Sequence, residues 1–79
     1  MLDTLQLHGV DELPTLREVR KSRCVEVDEL SASLGVRENT VYRWERGVST
    51  PTLYDALRLA EILDTPVTKI NWWPSGLPV

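Results

Sequence analysis

The chain has 79 residues, of which 42% are hydrophobic and 27% are charged, a composition typical of a small soluble globular domain and not of a disordered or membrane protein. A single cysteine and a single histidine exclude an intrachain disulfide and argue against structural zinc. The net charge of −3 argues against nucleic-acid binding through bulk charge alone.

Charge and composition divide the chain into three predicted parts. We expect an acidic N-terminal segment over residues 1–13, a globular domain over 14–71 and a Trp- and Pro-rich tail over 72–79. Within the domain, residues 37–58 hold four arginines against three acidic residues, so a local positive surface is predicted inside an acidic chain. No apolar run approaches the roughly 18 residues of a membrane span, and residues 1–13 lack the positive charges of a signal peptide. We therefore expect a cytoplasmic protein.

Apolar residues recur every three or four positions through the domain, which predicts short helices. The first helix is expected within residues 14–23. The second is expected within 26–34 and ends at Gly35, which suits a C-terminal cap. The third is expected over residues 37–46 and ends at Gly47. Only a tight turn separates the second helix from the third.

A fourth helix is predicted to begin after Thr52, with an acidic residue three positions later completing a capping box. Its predicted buried stripe has helical spacing and consists of Leu53, Ala56, Leu57, Ala60 and Leu63. A fifth helix is predicted to begin at Pro66 after a Thr65 cap, with Val67 and Ile70 facing inward. The predicted fold is therefore all-α, a compact bundle of four to five helices.

The tail carries two adjacent tryptophans, Trp72 and Trp73, followed by prolines that prevent a helix. Adjacent residues rarely both point inward. We expect one tryptophan to close the end of the core and the other to join a subunit or partner interface.

Two short helices joined by a tight turn that contains Gly form a helix-turn-helix unit, whose second helix enters the DNA major groove. Four segments carry a more specific pattern, namely LREVRKSR, DELSASLGV, NTVYRWERG and STPTLYDALRLAEIL. In these segments, from about Leu16 to Ile70, the chain resembles the Cro and phage-repressor-like helix-turn-helix family, also called the xenobiotic-response-element family. The resemblance implies a lambda-repressor-like bundle of four or five helices that binds specific DNA sequences, usually as a dimer.

By this resemblance, the base-contacting residues lie at the start of the third helix and are Arg37, Glu38, Asn39, Thr40 and Arg43. Side-chain chemistry agrees independently, because Asn pairs with adenine, Arg with guanine and Glu with cytosine, while the Thr methyl group contacts that of thymine. The alternative interpretation is an ordinary solvated helix face.

Other site residues follow from the same comparison and from helix geometry. Arg46, Arg58 and the first amides of the fourth helix near Thr52 are candidate phosphate contacts. The resemblance implies a salt bridge between Arg20 and Glu45, which would tie the first helix to the end of the third.

The chain departs from the family pattern at several positions. Val27 stands where a phosphate-contacting Gln is usual, and Glu26 stands at the usual Ser or Thr cap. Cys24 and Asp64 replace common glycines, and Val48 replaces a common Lys. These differences predict weak non-specific affinity for DNA.

Neither an enzyme nor a bound cofactor or small-molecule substrate is expected, because the sequence has no Gly-rich phosphate loop and no metal-ligand spacing. We predict a transcriptional regulator that binds double-stranded DNA as a homodimer, with residues 37–46 in the major groove of a palindromic operator. Two half-sites roughly 34 Å apart would supply the affinity that one small domain lacks. A repressor is favoured because the chain is too short for a separate activation domain.

The alternative is a helix-turn-helix module that binds a polymerase, a toxin or another regulator and has little affinity for DNA. Its contact surface would be the acidic N-terminal segment together with Trp72 and Trp73. Such a module would not require Asn39 or Arg43, which distinguishes the two hypotheses.

Overall fold

A computed structural model of the chain describes residues 13–74. These residues form α1 (Leu16–Ser22), α2 (Val27–Leu34), α3 (Glu38–Arg46), α4 (Leu53–Ile62) and a short 3₁₀ helix (Val67–Lys69). Extended pairing within them is limited to an isolated bridge between Thr15 and Asn71. The predicted all-α fold is confirmed. In this part of the chain, no helix has the length and apolar character needed to cross a membrane.

Side-chain caps fix where α1 and α4 begin. The Thr15 hydroxyl accepts a hydrogen bond from the Glu18 amide at 3.2 Å, and the Glu18 carboxylate accepts one from the Thr15 amide at 2.8 Å. At α4, the Thr52 hydroxyl accepts a hydrogen bond from the Asp55 amide at 3.1 Å. These bonds satisfy amides that have no partner inside the helix. The predicted cap at Thr52 is confirmed, but the reciprocal bond of a capping box forms between Thr15 and Glu18 and not between Thr52 and Asp55.

Four residues at helix ends adopt the left-handed backbone conformation. Gly35 and Gly47, with φ of 71° and 76°, terminate α2 and α3 as predicted. Cys24 and Asp64, with φ of 58° and 51°, follow α1 and α4 at the two positions where the sequence resemblance implies glycine. A residue with a side chain is strained in this conformation, by roughly 1–2 kcal/mol.

Replacing Cys24 with glycine is therefore expected to stabilise the domain by roughly 0.5–1 kcal/mol, since the relief of strain exceeds the added chain entropy of glycine. A thermal melt should show a rise of roughly 2–8 °C in Tm. Asp64→Gly is the matched comparison and should gain less, because Asp tolerates the left-handed region better than Cys. A lower Tm for Cys24→Gly would contradict this prediction.

The core lies between the four helices and the segment after α4. Its buried apolar residues are Leu16, Val19, Val27, Leu30, Val41, Trp44, Leu59, Leu63 and Ile70. Leu30, Val41 and Leu59 are fully buried. Each helix therefore contributes at least one side chain to a single small core.

The predicted buried stripe of α4 is partly wrong. Leu53 and Leu57 are 74% and 49% exposed, whereas Leu59, which was not predicted, is fully buried beside Ala56 and Ala60. Apolar residues cover so much of α4 that two overlapping series with helical spacing exist, and hydrophobic pattern alone does not decide between them. Packing of α4 against α2 and the 3₁₀ helix selects the series that contains Leu59.

The prediction of a fifth α-helix is also wrong, because the chain after α4 forms only the 3₁₀ turn at Val67–Lys69. The Thr65 hydroxyl donates to the Leu63 carbonyl at 3.0 Å instead of capping a helix. After the turn, Ile70 is extended and buried. The Asn71 amide then donates to the Pro14 carbonyl at 2.7 Å, and this pairing draws the chain out of a helical path.

The two tryptophans separate as predicted. Trp72 is half-buried, packs against the core and donates its indole N–H to the Val67 carbonyl at 2.9 Å. Trp73 is 36% exposed. One tryptophan therefore closes the core and its neighbour lies at the surface.

Candidate nucleic-acid interface

The turn between α2 and α3 holds these helices in a fixed arrangement. Gly35 ends α2, and the Val36 amide donates to the Ser31 carbonyl at 3.0 Å. Val36 is half-buried against the core. Arg37 is the extended N-cap residue of α3, so the helix begins one residue later than predicted. Differences of one residue at a helix end are ordinary.

Helix α3 presents two opposite faces. Val41 and Trp44 are buried, which fixes the helix against the core. The exposed side chains on the outer part of the helix are Glu38, Asn39, Tyr42, Arg43 and Arg46. Asn39, Arg43 and Arg46 are spaced i, i+4 and i+7, so they form one stripe along the helix.

The five predicted base-contacting residues are thus brought together at the first turns of α3 and the cap before it. Arg37, Glu38, Asn39 and Arg43 are exposed, whereas Thr40 is half-buried. The ion pairs formed within residues 13–74 join Arg20 with Glu45 and Arg58 with Glu61. They leave the arginines of the outer face without an ion-pair partner in that part of the chain.

Arg20 of α1 and Glu45 of α3 form a buried ion pair. The Arg20 Nε atom lies 2.6 Å from the Glu45 Oε2 atom, and the side chains are 8% and 4% exposed. Arg20 also donates to the Val25 carbonyl at 3.0 Å. The hydrogen bond with Glu45 raises the pKa of Arg20 above its ordinary value, so Arg20 stays charged. The pair links α1 directly to the last turn of α3.

The three predicted phosphate contacts have different surroundings. Arg46 is exposed in the last turn of α3, and Thr52 is the exposed N-cap of α4. The guanidinium of Arg58 is held by the Tyr54 hydroxyl at 3.1 Å and by the Ser33 carbonyl at 3.2 Å. Arg58 would therefore have to contact a phosphate alongside these two internal hydrogen bonds or in place of them.

Two departures from the family pattern have visible consequences. Val27 is 5% exposed and forms part of the core, so the first turn of α2 offers an apolar group at the position where the sequence resemblance implies a phosphate-contacting Gln. Val48, after α3, is 56% exposed and adds no charge. Both weaken the expected attraction to the DNA backbone.

Arg17 of α1 and Tyr42 of α3 are not among the site residues predicted from the sequence. Both line a cleft of about 370 Å³ beside the outer face of α3. The signal that could have found Arg17 is its spacing of three residues from Arg20, which places it on a neighbouring part of the same helix surface.

A tight turn between α2 and α3, and an α3 with a buried and a polar face, define a helix-turn-helix domain. A family model described as Helix-turn-helix matches residues 16–70. The chain belongs to this family, and the predicted membership and extent are confirmed. The prediction that the chain is not an enzyme is also confirmed, because the family and the names of the relatives are those of regulators.

Three similar proteins are candidate HTH-type transcriptional regulatory proteins of archaea. The protein from Methanocella arvoryzae is 40% identical over 53 residues, which cover 67% of this chain and 16% of the relative. The proteins from Pyrococcus furiosus and Methanocaldococcus jannaschii are 39% and 33% identical over 54 residues, covering 68% of this chain and 17% of each relative. The chain thus spans about a sixth of the length of these relatives. No solved structure matches the chain.

Proposed function

We propose that this chain is a sequence-specific DNA-binding transcriptional regulator. In this proposal, it represses transcription by binding a palindromic operator as a homodimer, with residues 37–46 in the major groove. The observation that carries the proposal is the outer face of α3, where Asn39 and Arg43 are exposed next to each other on a helix whose opposite face is buried. The names of the similar archaeal proteins support the same class of function.

The geometry suits a major groove about 12 Å wide, which admits one α-helix. The N-terminal residues of such a helix contact the base edges. Asn39 has the donor and acceptor that adenine requires, and Arg43 has the donors that guanine requires, each pair supplying about 1–3 kcal/mol of discrimination. Because Val41 and Trp44 are packed in the core, the helix that carries these side chains has a fixed orientation.

Asn39→Ala and Arg43→Ala are each expected to weaken binding by about 10–100-fold for each half-site of the preferred duplex, the equivalent of one lost base contact per subunit. The preferred duplex is obtained by selection from a random DNA pool, and affinity is measured by fluorescence anisotropy at two salt concentrations. Both residues are exposed, so the thermal melts should match that of the unsubstituted protein.

Lys69→Ala is the matched control for the loss of one positive charge, since Lys69 is exposed and lies in the 3₁₀ helix. It should leave the selected sequence unchanged. If the folded, unsubstituted protein enriches no sequence, the DNA-binding proposal is wrong.

An apolar surface formed by α4 and the segment after the 3₁₀ helix supports the proposed homodimer. Leu53 and Leu57 of α4 are exposed one turn apart, and Trp73 is also exposed. Beside them, Ala56, Trp72 and other residues line an apolar cleft of about 200 Å³. One face therefore carries both projecting side chains and a recess, as a symmetric interface between identical subunits requires. In this proposal, Trp73 and the rim of the cleft formed by Trp72 take part in the contact.

Leu53→Glu is expected to leave the monomer folded, because Leu53 is 74% exposed, and to shift the protein toward monomer by placing like charges across the interface. Sedimentation equilibrium with and without duplex DNA measures the change. Thr68→Glu, at another exposed position, is the control for added charge. An unsubstituted protein that is monomeric both free and on DNA would remove the homodimer from the proposal.

The same apolar surface favours the second candidate, a protein-interaction module. A heterologous partner could cover Leu53, Leu57 and Trp73 in place of a second copy. The two candidates differ in their dependence on α3. A protein-interaction module would tolerate Asn39→Ala and Arg43→Ala but would lose its partner on Leu53→Glu.

A further inference from the structure

A basic cleft lies between α1 and α3, outside the stripe of predicted base contacts. Its volume is about 370 Å³, and its lining residues are Arg17, Arg20, Tyr42, Glu45 and Arg46. Arg20 and Glu45 neutralise each other in the buried ion pair at the back of the cleft. The charge presented to solvent therefore comes from Arg17 and Arg46, in a chain whose net charge is −3.

The cleft is rigid on both sides. Arg17 follows Leu16, which is buried, and Arg46 follows Glu45, which is fixed by its bonds to Arg20. Neither Arg17 nor Arg46 takes part in the ion pairs formed within residues 13–74. Guanidinium groups on fixed backbones are well suited to an anionic oxygen group such as a phosphate, which they bind through charge-assisted hydrogen bonds.

The position of the cleft relates it to the DNA-contacting face. Tyr42 borders the cleft and lies three residues after Asn39 and four before Arg46, so it is a neighbour of both on the helix surface. A helix in the major groove has a phosphate backbone on each side. Arg46 of α3 is itself a predicted phosphate contact, and Arg17 lines the same cleft from α1.

We propose that this cleft binds a backbone phosphate beside the contacted bases, with Arg17 and Arg46 supplying the charge and the Tyr42 hydroxyl a hydrogen bond. The inference rests on the proposed DNA-binding function and adds Arg17 and Tyr42 to it.

The test is the salt dependence of DNA binding by Arg17→Gln. Each phosphate contact contributes about 0.9 to the slope of log K against log salt. Because the proposed homodimer loses one contact in each subunit, the slope should fall by about twice that amount, so that between 50 and 200 mM salt the affinity of Arg17→Gln falls about 12-fold less than that of the unsubstituted protein. The selected base sequence should not change, because phosphate contacts carry no direct sequence information.

Arg23→Gln is the matched control, with the same charge change at the end of the same helix. The Arg23 guanidinium donates to the Asp64 carbonyl at 3.0 Å and to the Thr65 hydroxyl at 3.4 Å, so it is directed toward the end of α4. Binding by Arg23→Gln should show the same slope of log K against log salt as binding by the unsubstituted protein. Tyr42→Phe should weaken binding without changing the slope, since it removes a hydrogen bond and no charge.

Equal slopes for Arg17→Gln and Arg23→Gln, with sequence-specific binding intact, would overturn the inference and leave the proposed function standing. No specific DNA binding by the unsubstituted protein would instead remove the proposed function. Inorganic phosphate distinguishes a free-anion site from a backbone contact. If phosphate at constant ionic strength raises the Tm of the unsubstituted protein but not of Arg17→Gln, and the DNA slopes are equal, the cleft binds a free anion and the inference is wrong.

Discussion

Arg20→Ala is expected to lower the free energy of unfolding by about 3–5 kcal/mol, the effect typical of removing one partner of a buried ion pair. The Glu45 side chain, which is 4% exposed in the intact pair, would lose the guanidinium that compensates its charge. The Val25 carbonyl would lose its hydrogen bond from Arg20 as well. A domain of this size has little stability in reserve, so a large fraction of the variant should be unfolded at physiological temperature.

The stability lost in Arg20→Ala should be the same at neutral and mildly alkaline pH. Since the hydrogen bond with Glu45 raises the pKa of Arg20 in the folded state, the stability it contributes is fully present below the pKa of Arg20 in the unfolded chain. It would be lost only as pH rises through the still higher folded value. Urea unfolding followed by circular dichroism at neutral and mildly alkaline pH should therefore give the same difference between Arg20→Ala and the unsubstituted protein.

Two controls separate a buried pair from a surface pair. Glu61→Ala removes the exposed ion pair with Arg58, in which the Arg58 Nε and Glu61 Oε1 atoms lie 4.0 Å apart. This substitution should change the free energy of unfolding by no more than about 1 kcal/mol. The double variant Arg20→Met with Glu45→Leu should recover much of the loss, because apolar replacement of both partners removes the uncompensated charge. A Tm for Arg20→Ala equal to that of the unsubstituted protein would contradict this account of the pair.

Local chemistry made much of the helical framework predictable. Gly35 and Gly47 end helices because they adopt the left-handed conformation without strain. The cap at Thr52 depends on a hydroxyl and an amide three residues away, so it can be recognised from spacing alone. The helices therefore lie close to their predicted positions.

The errors arose where packing between elements decides the outcome. In α4, the sequence permitted both the predicted series and the series with Leu59, and only the positions of α2 and the 3₁₀ helix select Leu59. The predicted fifth helix does not form, because the Asn71 amide donates a hydrogen bond to the Pro14 carbonyl, a contact between residues far apart in the chain. Neither contact has a signal in local sequence.

Some residues of the candidate site could be predicted from local sequence, whereas others depend on packing between helices. The outer face of α3 could be predicted because polar residues at its start follow helical spacing within one segment. The position of Arg20 and Glu45 as partners came from family resemblance, since a separation of 25 residues carries no local signal. The cleft that contains Arg17 and Arg46 required the packing of α1 on α3.

Trp44→Ala is the second substitution with a large expected effect, about 3–5 kcal/mol of lost stability. Trp44 is 6% exposed and belongs to the core with Val41. Alanine would leave a cavity behind α3 and remove the largest side chain that holds this helix in place. Since Glu45 is the next residue, the ion pair with Arg20 should also lose its fixed geometry. We therefore expect stability and DNA binding to fall together.

Urea unfolding followed by circular dichroism measures the loss, and Trp73→Ala is the matched control. Trp73 is 36% exposed, so its replacement should cost far less stability than that of Trp44 although the same side chain is removed. Trp44→Phe should fall between the two, because it keeps most of the aromatic volume, and it should retain the DNA sequence preference. Equal unfolding midpoints for Trp44→Ala and Trp73→Ala would show that α3 is held by other contacts. The orientation of Asn39 and Arg43 could then not be attributed to the buried face of α3.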